Sequence, residues 1–270
     1  MDSAAEAHER EIAAFRAARE ARYRSGDGWL TLIERIALDP GETRTPLGTV
    51  TVATNGSAAL EVSPGLAVTR GGDPVEGTPV EGTPVEGRID VSDGAVFVLA
   101  GRRHEIVKRS GGRLAMRVRD PESPARRRFA GIPVYPVDRA YRVAADFDRL
   151  PAPEDTTVEM SDGEEDLAHL AGEARFALPV AAGTQRLQIF IEESTGRLYV
   201  PFGDRTNRHE TYGGGRFLYG KEESGTLVLD FNRACNPPCA FNPLVTCPLP
   251  PPANRLDVSV RAGERLPRGS

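Results

Sequence analysis

Five side chains able to move protons or bind anions fall within a thirteen-residue stretch: Asp204, His209, Glu210, Tyr212 and Arg216. Carboxylates and imidazole serve as general bases, phenol and imidazolium as general acids, and a guanidinium grips an anion through parallel hydrogen bonds. Gly213-Gly214-Gly215 interrupts the run and lets the backbone approach a ligand or turn sharply. The glycines match neither a Walker loop nor a dinucleotide fingerprint. One reading is a catalytic loop, with Glu210 or Asp204 as base, Tyr212 or His209 as acid and Arg216 clamping an anionic substrate group. The other is a polar hairpin loop.

A second segment runs from Asp230 through Cys247 into Pro248-Leu249-Pro250-Pro251-Pro252. Residues 232–254 hold seven of the chain's 22 prolines. Proline fixes φ and removes a donor, so this backbone must be satisfied by side chains. Asn232, Asn236 and Asn242 can do that, or can bind a ligand's polar edge. Asn232, Arg233 and Asn236 join Arg216 as candidate substrate-binding residues. Cys235, Cys239 and Cys247 are spaced C-x3-C-x7-C, whereas a structural zinc site wants tighter pairs and a fourth ligand. No metal site is assigned. A nucleophilic cysteine needs a neighbouring base, and His209 is the nearby candidate; the simpler expectation is three buried structural thiols.

Composition narrows the classes. Net charge is −5, with 39% apolar and 27% charged residues, as in ordinary globular proteins. A nucleic-acid binder would show a basic stripe; Arg126-Arg127-Arg128 is the one short basic cluster and reads as a solvated turn. The first 24 residues carry charges throughout and contain no apolar core of a signal peptide. No segment approaches the roughly 20 apolar residues of a membrane helix. The expectation is a cytoplasmic protein with a small-molecule ligand and neither nucleic acid nor membrane as partner. Cofactor and oligomeric state are left open.

The elements that must position these residues are short. Residues 3–24 read as a helix, with a capping box at Ser3, an apolar stripe through Ile12 and Phe15, and His8 on an exposed face. From Trp29 onward, Val-, Leu-, Ile- and Thr-rich segments of four to eight residues alternate with turn residues. Asn55-Gly56 and Asp93-Gly94 signal hairpins. His104 is expected on the polar face of a strand, and His169 in an acidic loop. The run Pro-Val-Glu-Gly-Thr repeats through residues 73–87 and reads as an exposed duplication. Leu150-Pro151-Ala152-Pro153-Glu154-Asp155 is the expected linker. Further strands follow it, the last at Arg255–Val260. The organisation expected is an N-terminal helix (1–28), a β subdomain (29–150), a second carrying the polar segments (151–265) and a tail (266–270). The fold class is mainly β, a sandwich or barrel-like body with a Pro-rich C-terminal segment.

Several of these segments resemble the domain-of-unknown-function 1684 family. The resemblance rests on Asp230–Ala234, Asn236–Phe241, Thr246–Pro251, Asn254-Arg255-Leu256 and Ala262-Gly263-Glu264, with Thr211–Leu218, Asp27–Leu30 and Pro136–Asp138. It covers most of the chain from about Trp29 to Glu264 and implies no activity. Cys235 stands where the family pattern has an aromatic residue, which sets it apart from Cys239 and Cys247. The expectation is that the Asp204–Arg216 loop and the Asn232–Cys247 segment meet at one pocket.

Overall fold

The structure is a computed structural model that describes residues 3–71, 82–109, 112–193, 195–223 and 225–267. Residues 73–81 of the repeat lie outside the described residues, as does the Ser3 side chain. The chain forms two compact units, Tyr23–Phe129 and Met1–Arg22 with Ala130–Ser270. Among the described residues no helix is long and apolar enough to cross a membrane.

The helix α1 (Ser3–Arg24) is as the sequence suggests. The Tyr23–Phe129 unit then holds β1 (Leu32–Leu38), β2 (Gly41–Thr45), β3 (Gly48–Val52), β4 (Ala58–Val62), β5 (Thr69–Gly71), β6 (Thr83–Pro84), β7 (Arg88–Val91), β8 (Val96–Leu99), β9 (Arg102–Lys108), β10 (Leu114–Arg119) and a short α2 (Pro124–Arg128). A six-stranded sheet runs β1-β10-β9-β8-β5-β6 and a four-stranded one β2-β3-β4-β7. Leu38, Phe97, Ile106 and Met116 of the first meet Val50 and Leu60 of the second in one core, so period-2 alternation gives each sheet one buried face.

Asn55-Gly56 turns β3 into β4, with Gly56 at φ 84°. Asp93-Gly94 is a turn but not a hairpin, because β7 and β8 belong to different sheets. The tight hairpin is Ala100-Gly101, both at positive φ, between β8 and β9. His104 lies on the core face of β9 with Ile106, not on a polar face. Thr83-Pro84, from the end of the repeat, pairs at the sheet edge, where proline is tolerated. The arginine cluster is α2: Ser123 caps it, and Arg126 donates to the Arg24 and Pro121 carbonyls.

In the second unit, β11 (Arg142–Glu159), β12 (Glu165–Ala177), β13 (Thr184–Ile191), β14 (Leu198–Phe202), β15 (Arg216–Glu223) and β16 (Thr226–Asp230) form an antiparallel closed barrel. Alternate, inward-facing residues of successive strands, among them Leu187, Ile189, Val200, Phe202, Leu218 and Leu229, fill it. The expected linker Leu150–Asp155 lies inside β11. The β11–β12 register shifts between Arg149 and Glu154, so Pro151 and Pro153 fall in a bulge, where missing donors break no ladder bond. Only Arg142–Ala145 of β11 closes the barrel against β16. The rest extends with β12 as a long hairpin, which places His169 on a strand beside Asp155 at 2.7 Å. Arg255–Val260 is not a strand; it contributes a bridge from Arg255 to Gly203.

Residues of α1 are anchored to this unit by polar contacts. His8 is buried, not exposed: its Nε2 sits 2.7 Å from Asp230 Oδ2. Arg16 donates to the Tyr135 carbonyl at 3.0 Å, and Arg19 pairs with Glu264.

Candidate functional site

Strand parity decides the fate of the acid–guanidinium cluster. Phe202 and Arg216 are register partners at the end of β14 and β15. Val200, Phe202 and Asp204 share one parity, and Arg216 shares another with Leu218, so both polar side chains continue rows that point into the barrel. Their side chains are 0% exposed and form an ion pair at 2.5 Å. The Arg216 guanidinium also donates to the carbonyls of Val260 at 2.8 Å, Ala262 at 2.5 Å and Glu264 at 3.2 Å, and it stacks over Phe202. Asp204 accepts in addition from the Thr206 backbone N–H at 2.6 Å and from its hydroxyl. The pair closes the barrel end and holds the C-terminal segment across it.

Glu210 lies outside this closure. It takes a two-oxygen grip from Arg261 and a hydrogen bond from the Tyr135 hydroxyl at 2.9 Å. The Arg261 bonds, then the Tyr135 hydroxyl, hold its carboxyl below the usual range. His209 is exposed, and its backbone N–H donates to Thr206 at 3.2 Å.

The asparagines take the backbone-satisfying alternative. Asn232 accepts from the Asp138 N–H at 2.9 Å and donates to the Asp138 carbonyl at 2.8 Å. Asn236 donates to the Arg265 carbonyl at 2.8 Å, while its backbone N–H reaches Glu264 at 2.7 Å. Asn254, part of the family-like Asn254-Arg255-Leu256 run, bonds both backbone groups of Gln188. Arg233 pairs with Glu11 of α1 at 2.9 Å and covers the Phe15 ring.

Tyr212 is different. The Asp204–Arg216 loop and the Asn232–Cys247 segment do meet, at a backbone bridge between Phe217 and Cys235 and where the half-buried Tyr212 hydroxyl reaches Cys239 Sγ at 3.7 Å. Gly215 makes the loop geometry possible. Its φ is 85°, and a Cβ there would stand 2.4 Å from Pro250 and 2.7 Å from the Phe202 carbonyl. Cys239 is half-buried on a 3-10 turn, Pro238–Ala240.

The tip of the β11–β12 hairpin also reaches this place, an association that sequence spacing could not supply. Ser161 and Cys247 exchange two hydrogen bonds: the Cys247 N–H donates to Ser161 Oγ at 3.1 Å, and the Ser161 N–H to the Cys247 carbonyl at 2.9 Å. A Met160–Pro248 bridge continues the pairing. Hydrogen bonding from the Cys247 thiol, then from Tyr212 and Ser161, outweighs burial and brings the Cys239 thiol down to about 7. The same Cys239 bond, with burial, pushes Cys247 up. Burial, then the nearby Cys239, raises Tyr212, so it stays a proton donor. Cys235 is fully buried and raised to about 11 by that burial. Among the described residues no group of three or more His, Cys, Asp and Glu side chains is placed to hold a metal ion.

Two cavities lie elsewhere. One of about 900 Å³ in the sheet unit is lined by residues including Asn55, Ser57, Arg88, Asp90 and Lys108. One of about 420 Å³ in the barrel unit is lined by Asp146, Phe147, Arg149, Glu222 and their neighbours.

A search of curated proteins gives no match. Among solved structures, an uncharacterised protein of Haloarcula marismortui, determined by solution NMR, is 33% identical, with 53% of this chain and 80% of that one covered and a TM-score of 0.43. The family model described as protein of unknown function, DUF1684, matches residues 127–265, half of the chain and nearly all of the barrel unit beyond α1. The chain belongs to that family, in keeping with its Pro-rich cysteine segment and glycine loop.

Proposed function

We propose that the barrel unit is an enzyme acting on a small polar substrate through a reactive thiol, with Cys239 as nucleophile and Tyr212 as the proton donor beside it. The observation that carries this reading is the Tyr212 hydroxyl 3.7 Å from a half-buried Cys239 Sγ, at a place where three separate segments converge. A thiolate is the attacking form, and hydrogen-bond donors that favour it are what distinguishes a reactive cysteine from a structural one. The acid–base chemistry expected from the loop is retained in narrower form. Tyr212 keeps its role as acid, while Asp204 and Arg216 are engaged with each other and with backbone carbonyls. His209, exposed on the same loop, and Arg208 beside it are available to meet an anionic substrate group.

The test is competitive labelling of the full chain with substoichiometric iodoacetamide near neutral pH, read by peptide mass spectrometry. Cys239 is expected to take the label ahead of Cys235 and Cys247. Equal or slower labelling of Cys239 removes the proposal.

A second reading has its own support: the cavity of about 900 Å³ in the sheet unit, in the size range of small-ligand sites. There the unit is a non-catalytic ligand-binding module, with Arg88, Asp90 and Lys108 supplying polar contacts. Loss of ligand-induced thermal stabilisation in an Arg88→Ala, Lys108→Ala double variant, for a ligand found by screening, checks it.

A further inference from the structure

Cys247 helps to favour the Cys239 thiolate in the role just described, and it also brings a second, buried thiol to the site. We infer that Cys239 and Cys247 are a redox dithiol: Cys239 attacks a low-molecular-weight disulfide, and Cys247 then attacks Cys239 to form an internal disulfide. The inference rests on Cys239 being the reactive thiol of the proposed function and adds its reaction partner and its regulation.

Three observations carry it. Cys239 is partly exposed while Cys247 is buried, so an incoming disulfide meets Cys239 first and Cys247 is shielded from it. Both lie on one stiff strap, with Asn242 and Pro243 between them, and the Cys247 backbone is pinned to Ser161 by two hydrogen bonds. Each thiol is the leading electrostatic influence on the other, which puts both in one small polar region with Tyr212 and Ser161. Cys235 stands apart, held by its bridge to Phe217 and buried.

The steps balance. The Cys239 thiolate displaces one thiolate RS⁻ from RSSR, leaving a mixed disulfide Cys239–S–SR. Cys247, on losing its proton, displaces the second RS⁻ from the Cys239 sulfur. The protein is oxidised by two electrons, RSSR is reduced to two RSH, and the protons lost by the two cysteines end on the two products. Exchange of this kind favours an attacking thiol whose pKa lies near the ambient pH, the direction in which hydrogen bonding has moved Cys239. In the oxidised form the nucleophile is withdrawn, so the same step switches the site off.

The experiment uses the full chain, reduced and then exposed to oxidised glutathione, with intact mass and peptide mapping after acid quenching. The expected product has lost two hydrogens, carries a Cys239–Cys247 disulfide and holds no glutathione; dithiothreitol restores the starting mass. In Cys247→Ser the expected product is a stable glutathione adduct on Cys239. A stable adduct on Cys239 in the unaltered protein overturns the dithiol inference and leaves the nucleophile in place. No reaction at Cys239 in either protein overturns both.

Discussion

Two polar clusters grow from the same short stretch of chain, and their difference lies in which way the backbone points them. Asp204 and Arg216 continue inward rows of β14 and β15, their side chains lose all contact with solvent, and they bond each other and the carbonyls of Val260, Ala262 and Glu264. Tyr212, eight residues from Asp204, sits on the glycine loop outside the barrel and meets a half-buried thiol. The first cluster contains the more versatile chemical groups, yet its geometry commits them to closing a barrel end. The second has a weak acid and two thiols, and it is the one that keeps a face to solvent. Crowding of reactive residue types in sequence therefore marks a place where the chain needs strong interactions, and burial decides whether those interactions are structural.

Substitutions separate the two. The largest expected effect is Asp204→Ala, which leaves the Arg216 charge buried without its partner; such losses run about 3–5 kcal/mol. Denaturant unfolding should show that loss. Gly215→Ala comes next, since its Cβ meets Pro250 and the Phe202 carbonyl at a positive φ. A cost of about 1–3 kcal/mol is expected, together with slower Cys239 alkylation, because the loop that carries Tyr212 must shift. Tyr212→Phe reverses the pattern: stability should change by no more than about 1 kcal/mol, while Cys239 loses a donor to its thiolate and its alkylation near neutral pH slows several-fold. The smallest effect is Glu210→Gln. Its contact with Arg261 is an exposed ion pair, so thermal unfolding should shift little, and Cys239 reactivity should not move. If Asp204→Ala slowed alkylation as Tyr212→Phe does without destabilising the fold, the division between the clusters would fail.

Much of the fold was legible because period-2 alternation and turn chemistry are local. β4, β13 and β14 are short segments of the kind expected, five to eight residues long and rich in Val, Leu and Ile, and Asn55-Gly56 turns as its φ preference requires. What was not legible depends on partners distant in sequence. Pro151 and Pro153 signal a linker by composition, but a bulge opposite Gly172 absorbs them into β11. His8 reads as exposed on a thin amphipathic helix, but it is buried and bonded to Asp230, 222 positions away. Within the candidate site, Tyr212 and the cysteines could be named from the sequence. Their association with the hairpin tip at Ser161 could not, since nothing in the residues around 161 signals a thiol neighbour. The asparagines were legible as a pair of alternatives, and their bonds to backbone groups answer the shortage of backbone donors in the proline-rich chain around them.

The most direct test of the account is the pH dependence of Cys239 alkylation in the reduced protein, followed by peptide mass spectrometry. Hydrogen bonding from Cys247, Tyr212 and Ser161 lowers this thiol, so its rate should rise to half its plateau at a pH of about 7, while Cys235 stays slow throughout. A midpoint at the ordinary thiol value of about 8.5, unchanged by Tyr212→Phe, would contradict it and return Cys239 to the structural thiols.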